Sequence, residues 1–387
     1  MNFERIIGSS HENAPDIFPN REEKEASFND VEKEWLEKEG IPENIQERIN
    51  RLFSDNELAL VSEVSPQTPE IRYPTACEWL KHRMKYHRGT KFYPCFVKDE
   101  TGDTRFMKVD FRGGATLDSL RSESKIMSTF DNELRELGSP RMLQLIDPTE
   151  DTPAAIIIES ISMNEGQVAT SKNMTPDHVA DMAKKIRYME SIDVSASVTQ
   201  HPEIKNLSKA RRVNEEIRDL ANRSGNIIHQ DVKEKVASLF LGGPELPIVF
   251  AHGDLTLKNV MNKNDGTVSL VDWELAGVGF LGQDAGKFYK DIRTNPENRE
   301  IFQKSYFYDE SGTLDIDRVR GLFSGIVVEN LVHLVWRAEN ADLLDPKIQN
   351  EVATFRSNIE NAISEYESIT SNRYYYEYFS LPTLLKH

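Results

Sequence analysis

Two short apolar runs rich in β-branched residues, 247–251 and 268–271, interrupt a second half of the chain whose apolar residues otherwise recur every three or four positions. Runs this short read as buried strands rather than helices. They restrict the fold to one in which a little sheet is set into a mainly helical body, with polar loops leaving the strand ends where functional side chains gather. Helical spacing covers 176–192, 203–223 and 231–241 before these runs, and several segments from 284 to about 369 after them.

The first half reads differently. Residues 92–97 and 104–109 are strand-like runs separated by Asp99-Glu100-Thr101-Gly102-Asp103, a hairpin signature. Leu117, Leu120, Ile126, Met127, Phe130 and Leu134 then follow a helical period across 116–137, and an apolar run at 154–159 predicts a further strand. Upstream, Ser27 as a cap, acidic residues in the first turn and Gly40 as a stop predict one helix, and Pro42 opens a second toward Phe53. Residues 1–26 are polar and acidic, with Pro15 and Pro19, and are expected to be mobile or docked by others. A chain of 387 residues exceeds the size at which one core stops growing, so two lobes, or one core with appended segments, are expected.

Composition narrows the partners. A formal net charge of -17 disfavours broad binding to nucleic acid or to anionic membranes. Cys77 and Cys95 are the only cysteines, too few for a disulfide framework and without metal-site spacing, as a reducing compartment such as the cytoplasm would produce. No basic leader opens the sequence and no run of about 18 apolar residues occurs, so neither secretion nor membrane spanning is expected.

The chemistry concentrates beside the two strand runs. His252-Gly253-Asp254-Leu255-Thr256-Leu257-Lys258-Asn259-Val260 places a carboxylate and a carboxamide five positions apart on a loop leaving a strand. That is the spacing of a phosphoryl-transfer catalytic loop, in which the first group accepts a hydroxyl proton and the second ligates magnesium. A turn at Asn264-Asp265-Gly266 leads to Val271-Asp272-Trp273-Glu274, where Asp272 emerges from a buried strand as a hard oxygen ligand for the same ion.

HGDLTLKN followed by VDWE resembles the aminoglycoside phosphotransferase and choline kinase family. The resemblance covers roughly residues 85 to 340. It implies an α+β, two-lobed, protein-kinase-like fold with a small β-rich N-lobe and a large, mainly helical C-lobe. On that basis 1–70 is a partly helical acidic extension, 71–160 the N-lobe, and 161–387 the C-lobe with the catalytic loop and acceptor pocket. It also implies that Asp254 is the catalytic base, that Asn259 and Asp272 hold the metal, that His252 shapes the loop, and that Asp284 buttresses it. Thr256 stands where the family commonly has His, and Lys258 where it has Gly; Lys258 reads equally as a phosphate contact or an exposed loop lysine.

The upstream half fits the same scheme. A Lys on the second hairpin strand and a Glu on the next helix position the phosphates in kinase-like enzymes, and Lys108 and Glu123 fill those places. Glu133 and Asp118 share the helix, and periodicity does not choose between them; Glu123 best fits the family's spacing. Residues 158–161 resemble the family's hinge, where the backbone around Glu159 and Ile161 meets the purine. The phosphate-covering loop would be 86–90, with Thr90 and backbone amides serving in place of a glycine-rich turn.

These features together predict a small-molecule kinase using ATP, or GTP, with magnesium, and a hydroxyl-bearing acceptor. A catalytically silent nucleotide-binding regulatory module is the alternative. A protein kinase is disfavoured because Gly253 and Trp273-Glu274 replace the Arg and Phe-Gly of the protein-kinase motifs.

Overall fold

The computed structural model describes residues 28–61, 76–77, 80–81, 92–161, 166–194, 213–241 and 243–379. Residues 1–27, the loop 86–90 with Thr90, and the start of the helix expected at 203–223 lie outside the described residues. The chain divides into two compact units: Met1–Val168 with Ser269–Glu274, and Ala169–Val268 with Leu275–His387. Antiparallel sheet and helices together make the fold α+β.

In the first unit, α1 (Asp30–Glu39) is capped by Asn29 rather than by Ser27. Asn29 Oδ1 accepts from Glu32 N at 3.0 Å while Glu32 Oε2 accepts from Asn29 N at 2.8 Å, a reciprocal capping box. Gly40, with φ 68°, ends the helix in the left-handed conformation that glycine adopts without a side-chain clash. Then come α2 (Ile45–Asp55), β1 (Ala59–Leu60), and the hairpin of β2 (Phe92–Lys98) and β3 (Thr104–Asp110). The single helix expected over 116–137 is broken at Phe130 into α3 (Ala115–Thr129) and α4 (Asp131–Glu136). Strands β4 (Met142–Ile146) and β5 (Ala155–Glu159) complete a five-stranded antiparallel sheet of order β1-β2-β3-β5-β4.

The register of this sheet sorts its side chains. Cys95 pairs with Met107 and Met107 with Ile157, so these three share one face; Pro94, Lys108 and Ile156 share the other. Onto the first face pack Leu36, Ile41, Ile45, Ile49 and Leu52, each at most 3% exposed. The segment expected as an appended extension therefore supplies, among the described residues, seven of the eighteen buried side chains of this cluster: Phe28, Leu36, Ile41, Ile45, Ile49, Leu52 and Phe53. It leaves Lys108 on the face that α1 and α2 do not cover.

The strand β6 (Gly166–Val168) ends the first stretch. In the second unit, α5 (Pro176–Ser191), α6 (Val213–Arg223) and α7 (Gln230–Val236) precede β7 (Ile248–Ala251). The helix expected to run to 241 widens into a π turn over Ala237–Leu241. Strands β8 (Val260–Lys263) and β9 (Val268–Leu270) flank the expected turn, where Lys263 N donates to Thr267 O at 2.8 Å. The short strand β10 (Gly277–Phe280), invisible to the apolar count because two of its four residues are glycine, pairs antiparallel with β7 from Gly277–Ala251 to Phe280–Ile248.

The helices α8 (Gln283–Ile292), α9 (Pro296–Phe307), α10 (Ile316–Asn340) and α11 (Pro346–Phe379) form the rest. By length and composition α10 is apolar enough to cross a membrane, but 78% of its apolar window is buried inside the protein, as befits a central core helix.

Candidate active site

In the first unit the site is built around one ammonium group. Lys108 points from β3 with its side chain 8% exposed, and its Nζ donates to Glu123 Oε1 at 2.7 Å and Oε2 at 2.9 Å. Glu123, on α3, is fully buried, and neither Asp118 nor Glu133 takes its place. The same Nζ donates to Asp272 Oδ1 at 2.6 Å. One carboxylate oxygen from each of Glu123, Asp272 and Glu274 lies within 4.8 Å of the others, a set that could hold a metal ion.

Electrostatics follow from this crowding. Burial pulls the Lys108 ammonium down, but the Asp272, Glu123 and Glu274 carboxylates outweigh it and hold the group above its ordinary value. Glu123 is pushed up to about 7, chiefly by burial and further by Asp272 and Glu274, against the pull of Lys108. Oxygen donors of this kind suit a hard dication such as magnesium, so the donor set fits the metal that the sequence implies.

Asp272 itself has φ 71°, one of two non-glycine residues with positive φ among the described residues. Aspartate tolerates this left-handed conformation better than most residues. The next residue, Trp273, is 1% exposed, and its Nε1 donates to Ser139 Oγ at 2.7 Å. The indole thus pins the backbone that turns Asp272 toward Lys108.

In the second unit the loop after β7 is held from below. Asp284, at the start of α8, accepts from His252 N at 2.6 Å and Gly253 N at 3.1 Å. Burial raises the Asp284 carboxyl above its ordinary value; His252, Lys287 and the two backbone donors oppose the rise. Gly253 has φ 82°, and a Cβ there would stand 2.2 Å from Leu275 O, so this position admits no side chain.

Asp254 follows, its carboxylate partly exposed. Asn259, in a 3-10 turn over Leu257–Asn259, donates from Nδ2 to Asp254 O at 2.8 Å and to Asp254 Oδ2 at 3.2 Å. The carboxamide nitrogen is thereby committed to Asp254, which leaves Oδ1 as the atom Asn259 can offer a cation. Lys258 Nζ lies 3.4 Å from Asp254 Oδ2. Lys287 Nζ lies 3.8 Å from Asp254 Oδ1 and also donates to Gly253 O.

Two expectations about the hinge meet the sheet register. Glu159 closes β5 opposite Arg105, and Arg105 in turn opposes Val97, on the face that α1 and α2 cover. Its Oε2 accepts from Arg141 N at 3.0 Å, so its side chain serves β-sheet geometry; any purine contact at Glu159 falls to the backbone. Ile161 lies two residues past the strand, half-buried. Sequence reasoning missed Glu274, Lys287 and the Ser139–Trp273 bond. Glu274 was within sight, two positions from Asp272, whereas Lys287 and Ser139 become neighbours of the motifs only through folding.

The family described as Phosphotransferase enzyme family (APH) matches residues 85–322, more than half of the chain. No curated protein matches. Among solved structures, the macrolide 2'-phosphotransferase MphH from Brachybacterium faecium is similar at 14% identity and TM-score 0.52, over 83% of this chain and 98% of that one. The GDP and kanamycin complex of APH(2")-IIia is similar at 12% identity and TM-score 0.52, over 69% and 90%. At such identities the likeness concerns the fold.

Proposed function

Because the chain belongs to the phosphotransferase enzyme family, we propose that it moves the γ-phosphoryl group of a magnesium-bound nucleoside triphosphate, ATP or GTP, to a hydroxyl of a small molecule. The observation that carries this reading is the Lys108–Glu123 ion pair, the pairing that kinase-like enzymes use to align phosphates, with Asp272 beside the same ammonium. In this reading 71–160 serve the nucleotide, 161–387 carry the catalytic loop and the acceptor pocket, and 1–70 form the extension.

The residues divide the work. Lys108, steadied by Glu123, contacts the α- and β-phosphates, and Lys258 contacts phosphate oxygens. The backbone around Glu159 and Ile161 meets the base, and Thr90 with its neighbouring amides covers the phosphates. Asp254 accepts the proton of the acceptor hydroxyl as that oxygen bonds to the γ-phosphorus. The bond from that phosphorus to the bridging oxygen breaks, and its electron pair leaves on the β-phosphate. Asn259 fixes the Asp254 carboxylate through its Nδ2. Asn259 and Asp272 would hold the magnesium, with Glu274 in reach of Asp272. When bound, the metal supplies neutralisation of charge on the β- and γ-phosphate oxygens.

Cys77 and Cys95 are both buried and form no disulfide with each other, which suits a cytoplasmic enzyme. Neither nucleic acid nor membrane is a partner in this reading, because a net charge of -17 repels both. The test is transfer of labelled γ-phosphate from ATP and from GTP, with magnesium, across a panel of aminoglycosides, choline-like amines, sugars and nucleosides. Labelled product from at least one acceptor is expected. Nucleotide binding with no transfer to any acceptor, and no turnover, would instead make the chain a silent binding module.

A further inference from the structure

We propose that Lys287, which no sequence motif marks, joins Lys258 to form an anion subsite beside Asp254 that takes the oxygens of the γ-phosphoryl group during its transfer. This inference rests on the phosphotransferase reading above and adds a catalytic residue to it.

Lys258 approaches Asp254 Oδ2 at 3.4 Å and Lys287 approaches Asp254 Oδ1 at 3.8 Å, so two ammonium groups attend a single carboxylate, one to each oxygen. The acids nearby hold other hydrogen bonds, although Asp284 also feels the charge of Lys287 and Asp291 that of Lys258. Asp284 carries His252 N and Gly253 N, Asp291 accepts from Leu257 N at 3.3 Å, and Glu329 is bound by Lys290 at 2.6 Å. Among the described residues, Asp254 is the only carboxylate within ion-pair distance of either Lys258 or Lys287.

Lys287 lies on α8 one turn after Asp284. Asp284 holds the loop by two backbone N–H groups, and Lys287 holds it by the Gly253 carbonyl, so one helix face grips both polarities of the same loop backbone. The Lys287 ammonium is thereby fixed in place before any ligand arrives, while its side chain stays 18% exposed and that of Lys258 27% exposed. Preorganised charge of this kind stabilises a transition state without reorganisation during the reaction.

The acceptor oxygen must contact Asp254 to give up its proton, so the phosphorus that this oxygen attacks passes beside the same carboxylate. In a loose transition state negative charge spreads over three equatorial oxygens, which compact ammonium groups with three donors each can meet. An anionic group on the acceptor offers the same chemistry, and the experiment separates the two sources.

Calorimetry on the full chain, with magnesium, would compare ADP and the β,γ-imido triphosphate analogue AMP-PNP for the unaltered protein and for Lys258→Met, Lys287→Met and Lys287→Arg. Each Met variant is expected to weaken AMP-PNP by about tenfold and ADP by less than about twofold, with Arg at 287 retaining most of the preference. Equal weakening of both nucleotides would show a structural role and overturn the proposal. Unchanged binding of both would assign the lysines to an acceptor anion and overturn it equally. If the unaltered protein binds neither nucleotide, the phosphotransferase reading fails and takes this inference with it. Thermal melting of each variant checks the fold; should Lys287→Met unfold, Lys258→Met and Lys287→Arg carry the test.

Discussion

At the scale of single residues, position 254 bears the chemistry in the proposed reaction and position 253 bears the geometry. Replacing Asp254 with Ala removes the proposed proton acceptor and leaves the Lys108–Glu123 pair as it is, so kcat is expected to fall by about 10²–10⁴ with nucleotide affinity nearly unchanged. Steady-state kinetics on an identified acceptor, beside calorimetry, reads both numbers; near-normal turnover would remove Asp254 from its role. Gly253→Ala acts otherwise, because its φ of 82° and the Leu275 carbonyl 2.2 Å from the added Cβ force the loop to move. We expect a loss of about 2 kcal/mol or more in chemical denaturation, together with lost activity. Gly253 and Asp254 were legible from sequence as neighbours in a motif. That the glycine is obligatory was not, since Leu275 reaches it only across the β7–β10 ladder.

Elements carry predictions of their own, and the β2–β3 hairpin gives one tied to pH. Asp99 accepts from Thr101 N at 3.0 Å, Thr101 Oγ1 at 2.6 Å, Asp103 N at 3.0 Å and Arg105 Nε at 2.8 Å. Its carboxyl is held below the usual range, first by the Thr101 hydroxyl and then by Arg105 and the Asp103 backbone. A lowered folded-state value means that the stability it confers is present above the unfolded value of about 4 and is lost as pH falls through the folded one. Asp99→Ala should therefore melt below the unaltered protein at pH 7, with the gap closing as pH falls below about 4. A gap that widens on acidification would contradict the assignment. The hairpin was legible because turn residues and strand period agree there. The break at Phe130 was not, because apolar spacing continues across it and only backbone geometry ends the helix.

For the molecule as a whole, the two-part organisation followed from length, and the α+β class from the contrast between the two halves. The role of α1 and α2 did not follow. Their apolar spacing announces amphipathic helices but not what those helices cover, and the covered surface is the sheet face of Cys95, Met107 and Ile157. Ile49, 1% exposed, is part of that contact. Ile49→Ala is expected to cost about 2–5 kcal/mol in urea unfolding while leaving nucleotide affinity below the transition unchanged, because Lys108 lies on the other face. A loss under about 0.5 kcal/mol would show the extension to be an appendage.

The division of the chain also has a consequence for the order of synthesis. Ser269–Glu274 belong to the first unit although a hundred residues of the second are translated before them. A nascent chain that has just released Val168 can already join Lys108 to Glu123, but the partner for the other side of that ammonium, and the indole that reaches Ser139, are not yet made. Domains tend to fold in order from the N-terminus as they leave the ribosome. Here the first to emerge must wait for the second, and a message truncated anywhere before codon 272 yields a five-stranded sheet whose Lys108 lacks Asp272.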